Sequence, residues 1–166
     1  QEADITPLPE GLPPSRAVLA ANMETAVNAV WDARPTVGDE VVVIGAGVVG
    51  LLSAWLCQQV PGTHVTVVDI NPEKETVTET LGLTFVTELP SDTQADVVLH
   101  ASGQPEGLVS ALTVAGLEAT VVDLSWYGDR PVKLPLGEDF HSRRLTLRSS
   151  QVGHLHPERG PRWTRA

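Results

Sequence analysis

The sequence Gly45-Ala46-Gly47-Val48-Val49-Gly50 places glycines at its first, third and sixth positions, and an acid, Asp69, follows 19 residues after the last of them. Glycines at this spacing suit a polyphosphate. Gly45 permits a sharp turn off a strand. Gly47, lacking a Cβ, lets the backbone come close to a pyrophosphate, and Gly50 lets a helix lie against a sheet. The free N–H groups and positive end of that helix then face the phosphates. The Asp69 carboxylate can accept hydrogen bonds from both hydroxyls of an adenosine ribose. It would repel the 2′-phosphate of NADP, and neither Ile70 nor Asn71 beside it offers a positive charge to bind one. The pattern therefore favours NAD.

Glycine-rich turns are common, so the elements around this one carry the argument. Val41-Val42-Val43-Ile44 is a short β-branched run, the mark of a strand buried on both faces. Val48 to Val60 has helical spacing, with Val48, Leu51, Leu52, Trp55 and Leu56 expected on one face, and Pro61-Gly62 closes it. His64 to Asp69 reads as a second buried strand, so Asp69 falls at its carboxyl end. Further strands are expected at Leu83–Val86, Ala95–His100, Ala119–Leu124 and Leu145–Arg148. Helices are expected at Ser15–Ala33, with Ser15 as N-cap, at Glu73–Leu81, and at Pro105–Ala115, ended by Gly116. Strands alternating with helices imply an α/β, doubly wound, mostly parallel sheet of about six strands, a Rossmann arrangement. Ligands bind such sheets at the carboxyl ends of the strands. Further contacts are thus expected from Ala101-Ser102-Gly103 after the fourth strand and Leu124-Ser125 after the fifth.

A methyltransferase binding S-adenosylmethionine also uses a glycine-rich first turn and an acid at the second strand. Such enzymes usually carry an acid just ahead of the glycines, where this chain has Val42, Val43 and Ile44. That alternative stands second to a dinucleotide.

Composition narrows the classes. Apolar residues make up 42% of the 166, enough for an ordinary core. No run approaches the roughly 18 apolar residues of a membrane helix. The one cysteine, Cys57, excludes an internal disulfide and any multi-cysteine zinc module. Net charge is −10, but residues 1–142 hold 5 basic and 20 acidic side chains, whereas 143–166 hold 6 basic side chains against Glu158. So acidic a body repels phosphate backbones, and nucleic acid is not an expected partner. The Pro-rich start, residues 1–14, reads as linker, 15–150 as the nucleotide-binding domain and 151–166 as a basic tail. Both ends read as cut, so one domain of a longer protein is expected. With no signal peptide pattern and a nicotinamide cofactor expected, the cytoplasm is the expected location.

The chain resembles the nucleotide-binding domain of the medium-chain dehydrogenases, the superfamily of alcohol, sorbitol and threonine dehydrogenases. The resemblance covers roughly residues 15–155. It rests on Thr25-Ala26-Val27-Asn28-Ala29-Val30, Val37-Gly38-Asp39, Val41 to Gly50, Val67 to Lys74, Leu81-Gly82, Asp96-Val97-Val98 and Leu134-Pro135-Leu136. It implies NAD-dependent interconversion of an alcohol and a carbonyl. It implies contacts from Asp69 and Lys74 to the adenosine ribose, from the Val48 and Val49 N–H groups to the pyrophosphate, and from residues near Ser102 and Leu124 to the nicotinamide side. In the family a separate β-rich domain, mostly N-terminal, carries the proton relay and most zinc ligands, and final helices follow the last strand. Without them this chain is expected to bind a cofactor and turn nothing over. Family members often dimerise through the edge of this sheet, so Leu145–Arg148 is a candidate pairing strand.

One departure bears on metal. Zinc members place a third ligand near the start of the lead-in helix, where Ala20 or Ala21 stands here and neither can bind a metal. Glu24 would need a register shift. The parent's zinc is thus uncertain, and this chain is expected to bind none. His154-Leu155-His156 reads as a surface loop, Cys57 as a small buried hydrophobe, and His100 as a satisfied buried histidine. Ser125-Trp126-Tyr127 fits either packing or a pocket wall. Because fold does not fix function, a non-catalytic NAD(H)-sensing module remains the second reading of the whole.

Overall fold

The computed structural model describes residues 7–154, 158 and 159. Six strands make one sheet: β1 (Glu40–Ile44), β2 (His64–Val68), β3 (Thr84–Val86), β4 (Ala95–His100), β5 (Ala115–Asp123) and β6 (Thr146–Ser149). Their order is β3-β2-β1-β4-β5-β6 and every neighbouring pair is parallel. The helices are α1 (Pro14–Ala17), α2 (Ala20–Ala33), α3 (Val48–Gln58), α4 (Glu75–Thr80), α5 (Pro105–Val114) and α6 (Asp139–Ser142). This is the expected α/β Rossmann sheet, and it is parallel throughout.

The central strand shows why its sequence is apolar without alternation. Val41 and Val43 pack with Ala29 and Ala33 of α2 and with Leu51, Ala54 and Cys57 of α3. Val42 and Ile44 pack with Leu108, Ala111 and Leu112 of α5. A strand covered on both faces has no side to give to water.

Packing corrected several expectations. In α3 the buried residues are Gly50, Leu51, Ser53, Ala54 and Cys57, while Val48 and Trp55 are exposed. The small residues face the sheet beside Leu51 because a Gly or Ala face lets the helix axis approach closely, and Val48 and Trp55 are left outside. Cys57 is fully buried, and burial pushes its thiol up to about 12. The lead-in helix is broken at Val18–Leu19, both exposed, and Pro13 rather than Ser15 is the N-cap of α1. Pro14 has no N–H to lose in a first turn, so the helix begins one residue earlier. On α2, Ala26, Asn28, Ala29 and Ala33 are the buried residues. The helix expected at Glu73–Leu81 opens as a 3₁₀ turn over Pro72–Lys74, whose first N–H, that of Glu73, donates to Asn71 Oδ1 at 3.0 Å.

Gly116 does not end α5. The helix stops at Val114 and runs straight into β5, where the pairing with β4 shifts register between Ala95 and Val97. Glu118 takes the left-handed conformation there (φ 60°), and its N–H donates to Arg143 O at 2.7 Å. The sixth strand lies one residue later than expected, with Leu145 buried just ahead of it. The single turn α6 has too few residues to show a period in sequence. Of the segment read as linker, residues 7–13 form no helix or strand. Leu155 and His156 of the His-Leu-His segment lie outside the described residues, as does most of the basic tail.

Candidate dinucleotide site

The site is built where β1 ends. Its ladder continues into the loops: Gly45 N–H donates to Val68 O at 2.8 Å, and Ala101 N–H donates to Ile44 O at 2.8 Å. The turn after β1 is therefore stitched to β2 on one side and β4 on the other. Gly45 has φ +109°, and a Cβ there would stand 2.7 Å from Ser102 N and 2.8 Å from Ser102 Cα. No other residue type fits between these two loops.

The three glycines meet three different demands. A Cβ on Gly50 would meet the Gly45 carbonyl oxygen, so that glycine answers to packing of the helix on its own turn. A Cβ on Gly47 would meet no protein atom within 4 Å, and its backbone is extended (φ −75°, ψ 176°). Neither packing nor strain calls for glycine at that position; an approaching ligand would. Gly47 is the N-cap of α3, with no side chain capping it, and the first intrahelical bond runs from Leu51 N–H to Gly47 O at 2.9 Å. The N–H groups of Val48, Val49 and Gly50 precede that bond and open toward the crevice end of the helix. Anions are favoured there.

Asp69 lies just past β2, half-buried. Its Oδ2 accepts from Ala46 N–H at 2.8 Å and its Oδ1 from Asn71 N–H at 2.9 Å. The carboxylate is thereby held in one orientation beside the glycine turn, and each oxygen keeps acceptor capacity for a further donor. Ile70 is 92% exposed, and Lys74 stands half-buried in the 3₁₀ turn. On the other side of β1, Ala101, Ser102, Gly103, Leu124 and Ser125 are all half-buried, and Gly103 N–H donates to Ser125 Oγ at 3.1 Å. The expected residues thus form two groups around one turn, an Asp69–Lys74 group beyond β2 and a 101–103 and 124–125 group beyond β4 and β5.

The sequence reading missed the polar cluster beneath the second group. His100 is wholly buried at the end of β4; its Nδ1 is 2.9 Å from Asp123 Oδ1 and its Nε2 2.7 Å from Ser102 Oγ. Asp123 Oδ1 also accepts from Ser125 N–H at 3.0 Å and from the Tyr127 hydroxyl at 3.4 Å. Burial first, and the Asp123 charge second, push the Tyr127 phenol up to about 12. Gly107 of α5 was the available signal, since a glycine three residues into a helix asks for a reason. A Cβ there would stand 2.4 Å from Ser102 Oγ and 2.6 Å from His100 Nε2.

The residues at the site fit a dinucleotide by the open space at Gly47 and the helix end behind it. Ala20 and Ala21 carry no donor atom, and among the described residues no three His, Cys, Asp or Glu side chains gather to hold a metal.

A parallel sheet with a glycine turn between its central strand and a helix is a Rossmann-type nucleotide-binding fold. The chain belongs to the family described as "Alanine dehydrogenase/PNT, C-terminal domain", which matches residues 19–123. Its relatives include the L-threonine 3-dehydrogenase of Aeromonas salmonicida, 30% identical over 119 residues that make up 70% of this chain and 34% of that protein. Among solved structures, alcohol dehydrogenase TADH from Thermus sp. ATN1 superposes with a TM-score of 0.77 at 27% identity, over 87% of this chain and 45% of that one. A protein described as a short chain alcohol dehydrogenase from E. coli CFT073, solved with NADH, superposes at 0.78 and 22% identity, over 89% of this chain and 46% of that one. The chain thus spans about a third of the length of the curated relatives it matches. The resemblance to the medium-chain dehydrogenases agrees with these relatives. Among the described residues no helix is long and apolar enough to cross a membrane.

Proposed function

We propose that the chain is the NAD(H)-binding domain of an oxidoreductase that interconverts an alcohol and a carbonyl. The observation that carries this reading is the empty approach at Gly47 on the open end of α3, beside an Asp69 carboxylate tied to Ala46 N–H. In this reading Val48 and Val49 N–H groups hold the pyrophosphate, and Asp69 with Lys74 holds the adenosine ribose. Ile70 flanks the adenine. The loops at Ala101-Ser102-Gly103 and Leu124-Ser125 border the nicotinamide. Bound there, the cofactor supplies the hydride chemistry. The chain's own part is to fix the ring so that one face meets the substrate carbon. The alcohol or carbonyl substrate, and any metal, belong to the parts of the dehydrogenases that this chain does not span.

Asp69 makes NAD the expected cofactor over NADP, because its carboxylate and a 2′-phosphate repel at contact distance. The cytoplasm is the compartment this reading assigns. The open edge of the sheet at β6, with Thr146, Arg148 and Ser149 exposed, is the surface through which two copies would pair; sedimentation at high concentration tests that, a monomer refuting it. The cofactor reading is tested by calorimetric titration with NADH and then NADPH, repeated on Asp69→Ala. Saturable NADH binding, much weaker NADPH binding, and a smaller difference in the variant are expected. A folded chain that binds neither nucleotide would sink the reading.

A further inference from the structure

Ser102, His100 and Asp123 stand in the atom order of a nucleophilic triad, Oγ to Nε2 at 2.7 Å and Nδ1 to Oδ1 at 2.9 Å. They are not set up to attack. Two backbone N–H groups beside the hydroxyl are already donated, Gly103 to Ser125 Oγ at 3.1 Å and Gln104 to Ser102 Oγ at 3.2 Å, and are not held ready for an oxyanion. The imidazole itself has no exposed surface.

The hydrogen-bond directions show what the cluster does instead. A carboxylate only accepts, so His100 Nδ1 carries the proton and donates it to Asp123. In the neutral ring Nε2 is then an acceptor, and the Ser102 hydroxyl donates to it. Ser102 Oγ still accepts the Gln104 N–H. Every bond in the series points toward Asp123, which also takes Ser125 N–H and the Tyr127 hydroxyl. Tyr127 stacks on the imidazole, ring centroids 6.4 Å apart and 15° from parallel. Two loops that share no strand pairing, 101–104 and 124–127, meet directly at the Gly103–Ser125 bond and are tied a second time through one buried ring. Both lie at the carboxyl ends of β4 and β5, on the side of β1 away from Asp69.

We propose that His100 is a positioning residue for the nicotinamide half of the site. By donating to Asp123 and accepting from Ser102, it locks the two loops into one wall against which the reactive half of the dinucleotide rests. The adenosine half, held at Asp69 and Lys74 beyond β2, does not depend on it. This rests on the dinucleotide reading above. Gly107 is part of the same device, since any side chain there would stand in the place of Ser102 Oγ and His100 Nε2.

The test compares two probes on the same chain, NADH for the whole site and AMP for its adenosine end. His100→Asn keeps a donor at the position of Nδ1 and removes the acceptor at Nε2. The expected result is a rise of tenfold or more in the NADH Kd with the AMP Kd unchanged within about twofold. In the unsubstituted chain the His100 Nδ1 proton, protected by burial, should give a slowly exchanging NMR signal that shifts with NADH and not with AMP. This second readout decides the matter if the variant does not fold. Equal losses for both probes, or no loss for either, would overturn the positioning role, as would an Nδ1 signal indifferent to NADH. A folded, unsubstituted chain that binds neither probe would instead refute the dinucleotide reading on which the proposal stands.

Discussion

Gly50 lies against the Gly45 carbonyl so closely that a Cβ on Gly50 would fall 1.9 Å from that oxygen. The oxygen is backbone and cannot rotate away. Gly50→Ala therefore has to push α3 off its own turn. A loss of about 1–3 kcal/mol is expected from overpacking alone, against a gain of up to about 1 kcal/mol in helix propensity. Overpacking wins, and chemical denaturation should show a lower midpoint. An unchanged midpoint would mean that the helix start yields more easily than its geometry indicates.

Gly47 makes the opposite prediction. Its conformation is open to any residue and a Cβ would meet nothing. Gly47→Ala should lower stability by no more than about 1 kcal/mol, the difference between glycine and alanine as an N-cap. NADH binding should weaken by tenfold or more, because the methyl group occupies the approach to the helix N–H groups. Calorimetry and a denaturation curve on one sample separate the two effects. Unimpaired NADH binding would place the pyrophosphate elsewhere.

Gly107→Ala pits the same helix gain of about 1 kcal/mol against a clash inside the His100 cluster, at 2.4 Å from Ser102 Oγ. Moving Ser102 costs its bond to a buried imidazole, and a buried polar group left unpaired costs about 1–3 kcal/mol. Net destabilisation is expected, with the His100 Nδ1 proton exchanging faster. A more stable variant would show that the cluster repacks at no cost.

Cys57 ties stability to alkaline pH. The unfolded thiol has its ordinary value of 9.0, and burial raises it to about 12 in the folded chain. Above pH 9 the unfolded state releases its proton first, so folding stability should fall between about pH 9 and 12. The Tyr127 phenol, raised from 10.0 to about 12, adds to the same fall. Cys57→Ala should flatten the lower part of this profile. The native thiol should also resist thiol reagents at pH 8 and react once denaturant is added. Reaction in the native state at the unfolded rate would contradict its burial.

The glycine turn, its acid and the alternation of strands and helices were legible in the sequence because each is local. Glycine spacing reports a turn, and a β-branched run reports a strand buried on both faces. The start of α1 was misread by one residue, because Pro14 outranks Ser15 as a helix opener. The face of α3 was misread except at Leu51, which was expected inward and is buried. Apolar periodicity pointed to Val48, Leu52, Trp55 and Leu56, while close approach to the sheet selected Gly50, Ser53, Ala54 and Cys57.

By itself the sequence determined that a strand, a tight glycine turn, a helix and a second strand ending in an acid follow one another, since neighbouring residues settle each of these. Only the tertiary structure decided that His100, Ser102, Asp123 and Tyr127 meet. They come from the ends of two strands and the loops after them, joined by no local pattern. Their meeting depends on β4 and β5 lying parallel and adjacent with His100 opposite Asp123, a register set by side chains packed on both faces of the sheet.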